Sequence, residues 1–144
     1  MAKTPQSQSP YDIDLDRNPA NFQPLTPLQF LERAALVHPD HIAIIHGPLR
    51  RNYRDFYARA RRLASALQRH GIKKGETVSV VLANTPAMLE AHYGVPMTGA
   101  VLNTINTRLE PETVAYILDH SDSVLVMVDA ALVPLLDRAF AILG

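Results

Sequence analysis

Short apolar runs alternate with amphipathic segments along most of this chain, and this alternation limits its possible fold more than any other feature. The apolar runs at 77–83, 101–105 and 123–128 are typical of strands, and the segments between them carry helical spacing. Strands that alternate with helices indicate βαβ units, because parallel strands need long right-handed crossovers. The predicted fold class is therefore α/β, with a mostly parallel sheet and flanking helices.

Local signals mark where the first two helices begin and end. Thr26 suits an N-cap and Pro27 suits the first helical position, so a helix is predicted from there to about residue 37. Asn52, with Asp55 three residues later, resembles a capping box and predicts a second helix. That helix is expected to stop at Gly71, a residue type that favours the position just after a helix.

Apolar patterning and proline predict the remaining elements. Short strands at 42–45 and 49–52 are expected to precede the second helix. Pro96 is expected to break the helix that begins at Thr85, because proline has no N–H to donate. The continuous apolar run at 77–83 predicts a parallel strand covered on both faces, and the run at 123–128 predicts a fully buried strand. The last helix, 134–143, is expected to face the sheet with Leu135, Leu136, Ala139 and Phe140.

The first 24 residues lack any period that could bury one face, and they hold four of the eleven prolines. We predict an extended or disordered arm over residues 1–24 and an ordered unit over residues 25–144. The alternative is an arm that packs on a neighbouring domain or subunit through Tyr11 and Phe22.

Composition excludes several classes of protein. The 14 Lys and Arg residues balance 14 Asp and Glu residues, so no net positive field favours nucleic-acid binding. The chain has no cysteine, which excludes disulfides and thiolate metal sites, and its six histidines are too scattered to predict a metal site. No apolar run approaches the ~20 residues of a membrane span. Because the amino-terminal residues also lack an apolar secretory segment, the predicted location is cytoplasmic.

Positive charge is concentrated in one part of the sequence. Nine of the 14 basic residues fall in the segment 50–74. On a helical wheel several of them form a stripe opposite the apolar face, namely Arg54, Arg61, Arg62 and Arg69. A solvated outer face is the favoured interpretation; the alternatives are an anion-steering patch or an ion-paired contact with another domain.

Open parallel sheets bind ligands beyond the carboxyl ends of their strands. Asn84, Asn103 and Arg108 lie at or near such ends, and they are the positional candidates for cofactor binding. None of these loops has the glycine pattern of a phosphate-binding motif. We therefore do not expect this chain to form a nucleotide site by itself.

The residue identities in several segments add information that the hydrophobic pattern alone does not give. RNYRDF at 51–56, RLASAL at 62–67 and GIKKGETV at 71–78 resemble the N-terminal stretch of AMP-forming acyl-CoA synthetases. LANTP at 82–86 and GAVLN at 99–103 resemble the loop and the core block that follow in that family. These synthetases belong to the adenylate-forming enzymes, which include luciferases and peptide-synthetase adenylation domains.

A narrower resemblance points to one branch of the family. EAHYGVPMTGAVLNTINTRL at 90–109 and LTPLQFLERAA at 25–35 resemble bacterial medium-chain acyl-CoA ligases, 3-methylmercaptopropionyl-CoA ligases and plant acyl-activating enzymes. The likeness runs from about residue 24 to residue 129. It implies an incomplete N-terminal subdomain of a larger adenylate-forming domain.

The resemblance implies a ligase that uses ATP, Mg²⁺ and coenzyme A to activate a small or medium-chain carboxylic acid, and it allows a homodimer. The family's phosphate loop, its adenine and ribose motifs and its C-terminal lysine lie downstream of the matched region. We therefore assign no catalytic residue, and we expect no activity from residues 1–144 alone. A second hypothesis is a non-catalytic α/β interaction module that uses the exposed surface of the fold.

The isolated 144-residue chain is expected to oligomerise or aggregate. If it is part of a larger domain, its last helix and its sheet edges lack their partners, and exposed apolar surface promotes association. Light scattering checks this expectation. A monodisperse monomer with a sharp cooperative thermal transition would contradict it.

Overall fold

The computed structural model describes residues 18–144, and the order of its elements matches the predicted alternation of strands and helices. Short 3-10 turns at Pro96–Thr98 and Ala130–Leu132 separate some of them. In chain order the elements are α1 Pro27–Val37, β1 Ile42–His46, β2 Leu49–Asn52, α2 Tyr53–Arg69, β3 Thr77–Val81, α3 Pro86–Gly94, β4 Val101–Thr104, α4 Pro111–His120, β5 Ser123–Val128 and α5 Val133–Leu143.

A parallel three-stranded sheet lies at the centre, in the order β4-β3-β5. In its register Ser79 of β3 lies opposite Asn103 of β4 and Val126 of β5. Residues of α2 and the 3-10 turn after α3 pack on one face of the sheet, and α4 and α5 pack on the other. Strands β1 and β2 form a separate antiparallel pair beside α1 and α2. The predicted α/β class with a mostly parallel sheet is confirmed.

The predicted starts of the first two helices are confirmed, because Thr26 and Asn52 are the N-caps of α1 and α2. The Asn52 side chain accepts a hydrogen bond from the Asp55 backbone N–H at 2.8 Å, which satisfies one free donor of α2. The Thr26 backbone N–H donates to the Gln29 side chain at 3.2 Å at the start of α1. After α2, Gly71 adopts φ +86°, the left-handed conformation that glycine takes without strain.

Two predictions about burial differ from the structure. Strand β5 is not fully buried: among the strands of residues 18–144 it pairs with β3 alone, and Val124 is 54% exposed. In helix α5, Leu135, Leu136 and Ala139 are buried in the same cluster as Val81 of β3, as predicted. Phe140 lies beside β5 but is 48% exposed, so it does not share that burial.

The predicted arm lies only partly within the described residues. Residues 18–24 are exposed and contain a turn at residues 19–21, whereas residues 1–17, and Tyr11 with them, lie outside the described part of the chain. The boundary between an arm and a unit over residues 25–144 stays a prediction. None of the helices within residues 18–144 combines the length and apolar character needed to cross a bilayer.

Helices α2 and α3 approach each other closely at Gly94. A Cβ atom added there would lie 2.8 Å from Leu63 Cδ2, well inside van der Waals contact. Nearby, Phe56 of α2 meets Tyr93 of α3 edge to face, with ring centroids 5.3 Å apart. Glycine is therefore required at this crossing by space and not by backbone conformation.

Substitution Gly94→Ala should destabilise the fold by about 1–3 kcal/mol, the usual range for forcing a methyl group into a packed core. The cost should fall when Gly94→Ala is made in a Leu63→Gly background, because Leu63 Cδ2, Cγ and Cβ, which lie 2.8–2.9 Å from the added methyl group, are then all absent. Urea unfolding of the four proteins in this cycle measures the coupling. Equal costs in the Leu63 and Leu63→Gly backgrounds would show that the contact with the Leu63 side chain does not limit this site.

Candidate functional site

The carboxyl ends of β3 and β4 meet at one edge of the sheet and form a groove. Its volume is about 540 Å³, and it is bounded by the loop after β3, the first turns of α3 and the loop after β4. The lining residues are Leu82, Ala83, Asn84, Met88, Thr104, Ile105, Asn106, Thr107 and Arg108. This is the edge at which open α/β sheets bind ligands.

Hydrogen bonds fix both walls of this groove. On one side the Asn106 carbonyl Oδ1 accepts from the Arg108 backbone N–H at 2.9 Å, which shapes the loop after β4. On the other side the Ala83 backbone N–H donates to Asp129 Oδ2 at 3.0 Å, which ties the loop after β3 to the end of β5. The groove thus presents amides, hydroxyls and one guanidinium on braced loops, a set of groups suited to an anionic ligand.

Of the three residues predicted as candidates for cofactor binding, the structure places two in the groove and the third outside it. Asn84 and Arg108 are both exposed and line the groove from opposite loops. Asn103 instead lies within β4, where its Nδ2 donates to Ser79 Oγ at 2.8 Å and to Ser121 Oγ at 3.1 Å. Asn103 is therefore held inside the fold and does not line the groove.

Asn103 belongs to a polar network that sequence reasoning missed. Ser79 is fully buried, and its hydroxyl lies 2.5 Å from that of Ser123, which in turn lies 2.7 Å from the hydroxyl of Ser121. The four side chains join β4, β3, the first residue of β5 and the end of α4. A signal was present in the sequence, since Ser79 and Asn103 are polar residues within predicted strands.

Part of the basic segment is directed inward. Glu90 of α3 accepts hydrogen bonds at the same oxygen, Oε1, from Arg51 Nη1 at 2.5 Å and from Arg59 Nε at 2.6 Å. The Glu90 side chain is only 9% exposed, and its hydrogen bond raises the pKa of the Arg59 guanidinium. This cluster ties β2, α2 and α3 together. The stripe of arginines predicted to face solvent is indeed exposed, at Arg54, Arg61, Arg62 and Arg69.

The family of the chain follows from its sequence. The model of the family described as AMP-binding enzyme matches residues 31–142, most of the chain. The chain belongs to this family. The predicted resemblance of several segments to AMP-forming acyl-CoA synthetases is confirmed.

Curated relatives of this chain are CoA ligases. An acetate/butyrate–CoA ligase of Arabidopsis thaliana, named as peroxisomal, is 54% identical over 116 residues, which are 81% of this chain and 20% of the relative. An acetate–CoA ligase of Humulus lupulus is 48% identical over 131 residues, 91% of this chain and 23% of the relative. A peroxisomal trans-cinnamate:CoA ligase of Petunia hybrida is 48% identical over 116 residues, 81% of this chain and 20% of the relative. The chain thus spans about a fifth of the length of these relatives.

Solved structures agree with this assignment. The fatty acyl CoA synthetase of Mycobacterium tuberculosis superposes with a TM-score of 0.76 at 33% identity, covering 79% of this chain and 23% of that one. A benzoate CoA ligase from Burkholderia xenovorans superposes with a TM-score of 0.75 at 31% identity, covering 79% and 23%. The architecture described above matches the N-terminal part of acyl-CoA ligases. AMP-forming CoA ligases in general use ATP, Mg²⁺ and CoA.

The buried network and the exposed groove should respond differently to the same substitution. Asn103→Ala removes two hydrogen bonds from a half-buried site and should cost about 1–3 kcal/mol of stability. Asn84→Ala, at an exposed groove position, should leave the free energy of unfolding almost unchanged. Urea unfolding of both variants measures the difference. Equal stabilities would mean that Asn103 does not brace the sheet.

Proposed function

We propose that this chain is the N-terminal part of an ATP-dependent acid–CoA ligase. The observation that carries the proposal is its 54% identity over 116 residues to an acetate/butyrate–CoA ligase. The TM-scores near 0.75 to a fatty acyl CoA synthetase and a benzoate CoA ligase support it. The alternative of a non-catalytic interaction module has no observation in its favour beyond the size of the chain.

The proposed reaction has two balanced steps. A carboxylate oxygen of the acid attacks the α-phosphorus of ATP and releases pyrophosphate, which gives an acyl-adenylate. The thiol sulfur of CoA then attacks the acyl carbon, loses its proton and releases AMP, which leaves the acyl-CoA thioester. Both nucleotide substrates carry phosphates, and guanidinium and amide donors bind phosphate oxygens well.

In this reaction we assign binding roles, and not catalytic ones, to Asn84 and Arg108. Their exposed side chains line the groove at the carboxyl ends of β3 and β4. Arg108 supplies the positive charge there, and Asn84 supplies a neutral donor and acceptor on the opposite wall. Asn103, the third candidate, supports the groove from within the sheet through Ser79 and Ser121.

The residues lining the groove do not fit a magnesium site. Mg²⁺ prefers carboxylate, phosphate and water oxygens, and no Asp or Glu is among the groove-lining residues. Within residues 18–144 there is also no group of three or more His, Cys, Asp or Glu side chains that could hold a metal ion. We therefore derive no step through Mg²⁺ from this part of the protein.

The acid that we propose as substrate is a monocarboxylic acid. The relatives are named for acetate, butyrate and trans-cinnamate, which share one carboxylate and an apolar remainder. The homodimer and the cytoplasmic location both stay predictions. Two plant relatives are named as peroxisomal, so a peroxisome is the alternative location to test.

The complete protein should catalyse ATP–pyrophosphate exchange when it is given acetate, butyrate or trans-cinnamate. Arg108→Ala should raise the KM for ATP or for CoA about tenfold, the effect of losing ~1.4 kcal/mol of binding. Arg138→Ala is the matched control, because Arg138 is an exposed arginine on α5, outside the groove, whose Nε donates to the Pro134 carbonyl of its own helix at 3.3 Å.

Two outcomes would contradict the assignment at different levels. Absence of exchange with every carboxylate tried would refute the ligase itself. Equal KM values in Arg108→Ala and Arg138→Ala would leave the ligase assignment intact and would show that Arg108 does not bind ATP or CoA.

A further inference from the structure

Within residues 18–144, Glu90 of α3 is the one charged residue that the fold buries; the other buried polar side chain there is that of Ser79. A carboxylate that is taken out of water destabilises a protein unless charged partners compensate. Two arginines do so here, and both donate to Oε1, Arg51 through Nη1 at 2.5 Å and Arg59 through Nε at 2.6 Å. The two hydrogen bonds converge on one oxygen atom and fix its position relative to β2 and α2.

Glu90 stands at the point along α3 where burial begins. None of residues 83–89, which run from the loop after β3 through the first turn of α3, is buried. Two grooves border this turn, the polar groove described above and an apolar groove of about 330 Å³ between α3 and β1, and Asn84 and Met88 line both. The side chain of the N-cap residue Thr85 makes no hydrogen bond to the helix. The first turn of α3 therefore has little packing to hold it in place.

The two ends of this segment are held by other contacts. At the far end of α3, Gly94 packs closely on Leu63 of α2. Upstream, the Ala83 N–H ties the loop after β3 to the end of β5. Among residues 84–93, the hydrogen bonds to other elements are all made by Glu90. The position of the first turn of α3 therefore depends on Glu90.

The ion cluster specifies the direction of this attachment, which apolar packing would not do. Apolar contacts are non-directional, whereas hydrogen bonds weaken steeply when their angles depart from the favoured range. A leucine in place of Glu90 could keep α3 against α2, but it would not select one position of the helix along that contact. The charged cluster selects such a position, because both guanidinium groups must reach the same oxygen atom.

We propose that Glu90 is a positioning residue for substrate binding. Held by Arg51 and Arg59, it sets the position of α3 and, through α3, that of Asn84 in the wall of the polar groove. The inference rests on the proposed function, which gives Asn84 and Arg108 binding roles in that groove. Arg108 belongs to the loop after β4, on the opposite wall, so its contribution to binding should not depend on Glu90.

Two double-mutant cycles in the complete protein test this coupling through the KM values for ATP and CoA. Glu90→Gln and Asn84→Ala should each raise the same one of these values about fivefold, the effect of one lost hydrogen bond, with kcat nearly unchanged. The variant that combines them should be no worse than either alone, because both remove the same contact. Glu90→Gln combined with Arg108→Ala should instead multiply the separate effects. Multiplied effects in both cycles, or no effect of either single variant, would overturn the proposal.

A paired substitution separates positioning from a general loss of stability. Glu90→Leu leaves Arg51, whose side chain is only 15% exposed, without its carboxylate and should lower the midpoint of urea unfolding. Glu90→Leu with Arg51→Leu should recover most of that midpoint, because apolar residues often replace buried ion pairs without loss of stability. The KM should nevertheless stay raised, because the directional contact is gone. A KM that returns to its original value together with the stability would show that Glu90 only holds the fold together.

Hydrogen exchange provides a readout that does not use enzyme activity. In the first turn of α3 the Leu89 N–H donates to the Thr85 carbonyl at 3.3 Å. At the other end of the helix the Val95 N–H donates to the Ala91 carbonyl at 3.1 Å. In Glu90→Gln the Leu89 amide should exchange about tenfold faster, whereas the Val95 amide should change little. Equal changes at both amides, or none, would refute the positioning role. Failed ATP–pyrophosphate exchange would refute the ligase, and this measurement would still decide whether Glu90 positions α3.

Discussion

The rest of the structure depends on the burial of β3 from both sides. Val78 and Val80 are fully buried toward α2, and Ser79 and Val81 are fully buried among the side chains toward α4 and α5. A central parallel strand stays in place only if helices cover both of its faces. This requirement puts α2 and α3 on one side, α4 and α5 on the other, and the ends of β3 and β4 at the groove edge.

Polar groups inside this apolar framework are satisfied, and they fix how its layers meet. The hydroxyl of Ser79 would cost a few kcal/mol if it were buried without a partner, but Asn103 and Ser123 supply hydrogen bonds to it. Glu90 is likewise buried with two arginines on one oxygen. Breaking either set leaves a buried polar or charged group unpaired. These interactions hold β3, β4 and α3, the elements whose ends line the groove.

Local signals predicted the elements well, and tertiary placement limited the rest. Thr26, Asn52 and Gly71 act through neighbouring backbone groups, so the ends of α1 and α2 could be read from the chain. The burial of β5 and of Phe140 depends on which strand pairs with which, and an apolar run does not encode that order. Asn84 and Arg108 follow their strands in the chain, so their positions beyond strand ends could be predicted from the apolar runs. Asn103 could not be assigned to the network around Ser79, because that network depends on which strands are neighbours.

The intact mass of the protein made by its source organism tests most directly whether this chain is the opening part of a ligase. The aligned part of this chain covers about a fifth of the length of the related ligases, and we expect the ligase reaction to require the rest. A mass several times larger than 15.9 kDa is the predicted result. A mature product of 15.9 kDa would contradict it, and would turn attention to the binding partners of a small α/β protein.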